Sequence, residues 1–409
     1  LFVANKLMKD FVKKKYLNEL ESLKDNVSVL KVITGIRGSG KSTLLNDEKE
    51  NLLANGVNPK DIISVNLDLD SNRNIKTSIE LINLIKKQDY DNETTKYLFI
   101  DEIQYVKDFE EVLVQYFSSK KYSIFVSSSN KTLFSKKFLE LFSEKYKVIE
   151  LKPLSLKEFN EVANVNNLEP NSLLTGYILE SGFIETLNAS DLISKIEITR
   201  KLLNNILEKD IFPFVKVKSL TIAKEIASFI INNFDSIIDK EELDEFIKSY
   251  NGLIKLEDIN DYLLSLENAY AIKSVKVKNI NNNEVITAKY FLSDLGLFTC
   301  SMTKKAIDYN RVFENIIFNT LNDVEISSCY DNEVNLGLMI KSNENLEIIK
   351  VITNVGRTNA NSICDLDWYN HLIALDSNIK KVVITYGKVN QTTNDDLIYE
   401  DALNLLLNK

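Results

Sequence analysis

The chain has 409 residues, room for about two to four domains, and 44% of them are apolar, enough for each domain to bury a core. Its formal charge of −9 argues against a protein that coats nucleic acid electrostatically. A single histidine, His371, and three scattered cysteines, Cys300, Cys329 and Cys364, exclude a zinc ribbon or a Cys/His metal cluster and fit reduced thiols in a cytoplasmic protein. No apolar run approaches a membrane span and the first residues lack a signal-peptide pattern, so no membrane partner is expected.

In chain order, "FVKKKYLNELESLKD" (11–25) reads as a leading helix with Lys13, Lys14 and Lys15 on a solvated stretch. "VSVLKVIT" follows as a buried strand. It runs into G-x-x-x-x-G-K-[ST], filled by Gly35, Gly40, Lys41 and Ser42. A helix comes next, with Leu44, Leu45, Leu52 and Leu53 on one side, and "NG" at 55–56 ends it. Strand, glycine-rich loop and helix together form a phosphate cradle. Backbone N–H groups of Gly35, Ile36, Arg37, Gly38, Ser39 and Gly40 turn inward, and the helix start at Lys41, Ser42 and Thr43 adds its dipole. Lys41 is expected to reach the β/γ-phosphates of ATP, and the Ser42 hydroxyl to ligate Mg²⁺.

"IISVNLDLD" (62–70), "YLFIDEIQ" (97–104), "YSIFVSSS" (122–129) and "KYKVIEL" (145–151) alternate with helical pattern. The expected fold class is therefore α/β, with a parallel, doubly wound sheet. "YLFIDEIQ" ends in two adjacent carboxylates. Asp101 is placed to hold Mg²⁺ through water, and Glu102 to orient and deprotonate the attacking water. The fourth strand ends in Ser127, Ser128, Ser129 and Asn130. Ser129 and Asn130 could sit beside the γ-phosphate and that water, although polar strand ends also initiate turns.

The domain boundaries rest on changes of pattern. Residues 1–152 form the P-loop core and residues 153–212 a helical lid. Residues 213–300 read as three helices and two strands, "KSVKVKN" and "EVITAKYFLSD", around the asparagine-rich turn 279–284. That is winged-helix order. In the third helix Leu256, Ile259, Leu263 and Leu266 form the expected buried stripe, which turns Glu257, Asp258, Asp261 and Glu267 toward any groove. Carboxylates there repel phosphates. Lys273, Lys276 and Lys278 on the strands could touch a backbone without reading sequence. Packing against the P-loop core or another protein is favoured over DNA. Residues 301–409 open with "RVFENIIFNTLND", a helix carrying Glu314, followed by "EVNLGLMIK", "LEIIKVIT", a helix and "KKVVITYG".

The stretches "VITGIRGSGKSTLL", "YLFIDEIQYV", "FVSSSN", "IELKPLSLKEF", "SGFIETL", "ILEKDI", "KYFLSDLGL" and "VFENIIFNTL" make the chain resemble a known family. Its members are bacterial and archaeal ATP-binding proteins with an AAA-type core, a winged-helix region and a C-terminal domain similar to a restriction endonuclease. The resemblance implies an ATPase with that domain order. Two departures modify the expectation. A nuclease of this type needs an Asp on its second strand and (D/E)-x-K on its third. Here Asn335 stands in place of the Asp, while Glu347 and Lys350 are three apart and point to opposite faces. Nuclease activity is therefore expected to be absent. Family members also carry a Gly-Arg pair before the fifth strand, and here it is Glu144-Lys145. Lys145 in the place of a catalytic arginine implies slow hydrolysis. The expected protein is an Mg²⁺-dependent, slow ATPase that acts on a protein partner or, less favoured, a nucleic acid. The alternative is a non-catalytic, nucleotide-bound adaptor.

Overall fold

The computed structural model describes residues 14–90, 94–163, 170–215, 219–238, 240–301, 308–321, 324–342, 345–353, 367–386 and 396–408. Lys13 and Cys364 lie outside the described residues. Helix α1 (Lys14–Leu23) leads, with Lys14 and Lys15 exposed. The first sheet contains β1 (Leu30–Thr34), β2 (Ile62–Asn66), β3 (Lys96–Asp101), β4 (Tyr122–Ser128) and β5 (Tyr146–Glu150). All five are parallel, in the order β2-β3-β4-β1-β5. Every residue of β1, β3 and β4 is buried, because helices cover both faces of the centre. The covering helices are α2 (Lys41–Ala54), α3 (Ser78–Gln88), α4 (Phe109–Ser118) and α5 (Lys136–Phe142). Leu44, Leu45 and Leu52 of α2 are buried as expected. Leu53 is instead exposed, one step around the helix from Leu52. The strand expected over 62–70 stops at Asn66, where the chain turns into a 3₁₀ segment, Asp70–Asn72.

The rest of the chain builds a second body. Helices α6 (Leu156–Ala163), α7 (Pro170–Glu180) and α8 (Leu192–Asn205) come first, and α8 runs into a wide π-helical turn, Ile206–Ile211. Then follow α9 (Leu220–Asn232), α10 (Lys240–Ser249), α11 (Leu256–Asn268) and the hairpin β6 (Ile272–Asn279) and β7 (Val285–Leu292). Beyond α12 (Gly296–Ser301) and α13 (Tyr309–Thr320) lie β8 (Glu325–Asp331), β9 (Val334–Ser342), β10 (Asn345–Thr353), α14 (Asp367–Ile373), β11 (Lys380–Tyr386), β12 (Leu397–Asp401) and α15 (Ala402–Asn408).

The expected boundary at 300/301 does not divide this body. β6 pairs in parallel with β8 from Val277 to Asn279, so the hairpin joins one seven-stranded sheet, β12-β11-β10-β9-β8-β6-β7. One apolar core runs from Leu154 to Leu406 and also takes in Ile36 of the glycine-rich loop. β6 lies inside the sheet and β7 forms its edge, so the hairpin is built into the sheet and is not a free wing to lay along a duplex. The stripe of α11 also differs from expectation. Ile259, Tyr262 and Leu266 are fully buried, while Leu256 is 52% exposed because it sits in the first turn, short of the packed face. Two of the quoted stretches meet at Asp294. Its carboxylate accepts from the Ser181 hydroxyl and the Gly182 N–H, each at 2.7 Å, and from the Gly296 N–H. That explains "SGFIETL" and "FLSDLGL" as one buried joint. Among the described residues no helix is long and apolar enough to cross a membrane.

The inner face of α2 carries a buried acid with a testable cost. Both carboxylate oxygens of Glu48 are buried without a hydrogen-bond partner. Burial, reinforced by Glu21 and Asp25, pushes its carboxyl from 4.5 up to about 7 against the pull of Lys24 and Lys31. Its folded-state value lies above its unfolded one, so the stability it contributes is full below pH 4.5 and is lost as pH rises through about 7. Glu48→Gln should remove that loss, raising stability at pH 8 by on the order of 1 kcal/mol while changing it little at pH 4.5. Urea unfolding of both proteins at the two pH values checks this.

Candidate nucleotide site

The site grows from the C-terminal ends of β1, β3 and β4. After Thr34 the chain must double back into α2, and three glycines take the left-handed backbone this requires: Gly35 at φ 132°, Gly38 at 84° and Gly40 at 98°. A Cβ on Gly35 would stand 2.0 Å from the Leu151 carbonyl oxygen, so only glycine fits there. Lys41, the first residue of α2, is buried. Its Nζ donates to the Gly35 and Ile36 carbonyls at 3.0 and 3.2 Å and lies 3.6 Å from Glu102 Oε1.

Asp101 closes β3. It accepts from Asn66 Nδ2 at 2.9 Å, from the Ser127 hydroxyl and from Ser42. Burial pushes its carboxyl up, as does the neighbouring Glu102 charge. Glu102 adopts φ 59°, an uncommon conformation outside glycine that marks a constrained position. Its N–H donates to Ser127 Oγ at 2.9 Å, and its Oε2 accepts from Gln104 Nε2 at 2.6 Å and Ser129 Oγ at 2.7 Å. Burial opposes its charge. The Lys41 ammonium and the Arg37 guanidinium override that and hold the carboxyl down to about 2.

The residues expected from sequence therefore divide. Gly35 to Thr43, Asp101, Glu102 and Ser129 come together. Asn130 does not face the loop with a free amide. Its Oδ1 accepts from the Thr132 N–H at 2.9 Å and its Nδ2 donates to the Asp210 carbonyl at 3.0 Å, so it starts the following turn, the other role open to it. Lys145 is exposed and precedes β5. In a parallel sheet that is the edge opposite the loop, about 16 Å away by strand length, so Lys145 cannot serve this chain's own site.

Sequence reasoning missed a second tier of residues around Arg37. Its Nε and Nη2 donate to Asp210 at 2.7 and 2.8 Å, its Nη1 to Asp68 at 3.1 Å, and its Nη2 to the Tyr105 hydroxyl. Lys209 Nζ takes the other Asp68 oxygen at 2.7 Å. "ILEKDI" contained Asp210, but nothing local in it signals a partner far away in the sequence.

A nucleotide and a metal fit this setting. Ser39 Oγ is buried within the loop without a hydrogen-bond partner, a polar group the protein by itself leaves unsatisfied. A water-sized cavity of about 20 Å³ is lined on its polar side by Ser42, Asn46, Lys49, Ser64, Asn66 and Asp101 and elsewhere by apolar side chains, and the Lys49 ammonium donates to the Ser64 hydroxyl at 2.9 Å. Hydroxyl, amide and carboxylate oxygens are the donors a hard cation takes.

The distal sheet gathers a different polar set. Lys350 Nζ donates to the Asn335 carbonyl at 2.7 Å, while Glu347 pairs with Lys380 at 3.0 Å on the outside. Buried Lys289 stands 3.2 Å from Asp235 and 3.6 Å from Glu314. Among the described residues no group of three or more His, Cys, Asp or Glu side chains is placed to hold a metal.

Residues 28–160 match the family model described as an AAA domain, and residues 171–306 match a domain of unknown function. An uncharacterized protein of Haemophilus influenzae is 27% identical over 392 residues, covering 93% of this chain and 94% of its own. One of Methanocaldococcus jannaschii is 27% identical over 320 residues, covering 75% and 69%. Among solved structures, the Walker-type ATPase of Pyrococcus abyssi is similar at a TM-score of 0.48 and 15% identity, covering 71% of this chain and 95% of that one. AMPPCP-bound DnaA from Aquifex aeolicus is similar at 0.33 and 16%, covering 64% and 93%. Residues 28–160 thus match an AAA domain and carry the glycine-rich phosphate loop and parallel sheet of a P-loop fold.

Proposed function

We propose that the chain is a slow, Mg²⁺-dependent ATPase whose nucleotide state sets the position of its helical segment, and that it acts on a protein partner. The observation that carries this reading is the convergence of Lys41, Ser42, Asp101 and Glu102 on one loop, with Glu102 pinned in a left-handed conformation. Ser42 and Asp101 would hold Mg²⁺, which when bound neutralises charge on the β- and γ-phosphates. Lys41 then turns from Glu102 and the loop carbonyls toward the phosphates. Glu102 loses the cation that suppresses its basicity and can take a proton from water. Ser129 keeps that carboxylate in place.

In the distal sheet, the Lys289 ammonium stands between Asp235 and Glu314, in the role a metal would otherwise fill, and Asn335 and Glu347 supply no further converging acid. We read this region as a scaffold or protein-binding surface without nuclease activity. One observation favours the adaptor alternative. Glu102 is a very weak base while Lys41 and Arg37 face it, and Lys145 is out of reach. Phosphate release from ATP separates the two readings. The ATPase reading expects slow release with Mg²⁺ and background release with EDTA, and background release in both conditions favours the adaptor.

A further inference from the structure

Arg37 is the unusual member of the loop, since its side chain contributes nothing to the glycine turns. Its guanidinium is nearly buried and sits among acids from separate elements: Asp210 at 2.7 and 2.8 Å, Asp68 at 3.1 Å and Glu102 at 3.9 Å. It therefore lies at the Glu102 end of the loop, where the terminal phosphate of ATP belongs. Asp210, 99% buried, comes from the π-helical turn that continues α8. α8 itself rests on the loop. A Cβ on Gly38 would come within 2.7 Å of the Leu202 Cδ2 methyl.

On the ATP-binding reading above, we infer that Arg37 is an exchangeable cation. Without a terminal phosphate it bolts the α8–π segment to the loop through Asp210. With one, it turns to that phosphate and releases Asp210. The chemistry favours the exchange. A terminal phosphate presents two oxygens to a guanidinium in the same fork geometry as a carboxylate, with about twice the charge. Arg37 thus keeps its bidentate pairing, while Asp210 is left as a buried carboxylate without its cation, a state costly enough to expel it. The Ser129 hydroxyl reinforces the coupling. It lies 2.7 Å from Glu102 and 2.8 Å from Asp210 and has one proton, so it can donate to only one of them at a time. Losing Asp210 commits Ser129 to Glu102, which links release of the helical segment to orientation of the base. A diphosphate, which lacks the terminal group, leaves the bolt closed.

The test is hydrogen exchange of residues 192–211 in the full chain, with Mg²⁺ and either ADP or ATPγS, together with calorimetric affinities for both. The wild type should lose protection across this segment with ATPγS and keep it with ADP. Asp210→Asn, which keeps the shape and removes the charge, should show the loosened pattern without nucleotide. It should also bind ATPγS about tenfold tighter, the worth of one charge-assisted contact no longer to be broken, with ADP affinity little changed. Equal protection with ADP and ATPγS in the wild type overturns the exchange even if Asp210→Asn does not fold, and leaves ATP binding standing. Binding of neither nucleotide overturns both readings.

Discussion

Glu102→Gln is expected to lower steady-state phosphate release by about a hundred- to ten-thousand-fold, the usual contribution of a positioned general base, while ATP stays bound. The amide preserves the shape of the side chain. Its oxygen can still accept from Ser129 Oγ, and the backbone N–H bond to Ser127 is untouched. What disappears is the ability to take a proton from water. Loss of the negative charge also relieves Lys41, now 3.6 Å from Glu102, of its competing partner, so ATP affinity should stay level or rise. Rapid-quench phosphate release alongside equilibrium binding separates the two effects. If both fall together, Glu102 holds the site in shape and is not its base.

The parts of the site that sequence made legible are those fixed by backbone chemistry over a few residues. Gly35, Gly38 and Gly40 are needed because the loop demands positive φ, and Asp101-Glu102 are placed by the strand that ends there. The order of strands and helices was legible for the same reason, since burial on two faces writes apolar runs into β1, β3 and β4. What stayed hidden depends on distant chain. Arg37 and Asp210 are separated by 173 positions, and neither carries a local sign of the other. The β6–β8 pairing spans only Val277 to Asn279 opposite Ser328 to Tyr330, too short to leave a pattern, so the hairpin read as a free wing. In α11 the aliphatic side chains suggested the stripe, yet Tyr262 faces the core and Leu256 does not. Periodicity gives a helix a face, but its length of contact is decided by the partner it meets.

Lys41→Ala carries the second large effect. The Lys41 ammonium is placed at the start of α2 to reach the β- and γ-phosphates, and it is already desolvated against the Gly35 and Ile36 carbonyls. Its charge-assisted contacts with phosphate replace these bonds without a new burial cost. Loss of such a contact is worth about 1.5 to 3 kcal/mol, a tenfold or greater weakening. The change also leaves Glu102 facing the phosphates without its nearest cation, and that repulsion adds to the loss. Calorimetric titration of the wild type and Lys41→Ala with ATP and Mg²⁺ tests most directly the claim that this loop is a nucleotide site. The account predicts saturable, one-to-one binding to the wild type and at least about tenfold weaker binding to the variant. Equal affinity in the two proteins, with circular dichroism showing both folded, would contradict it.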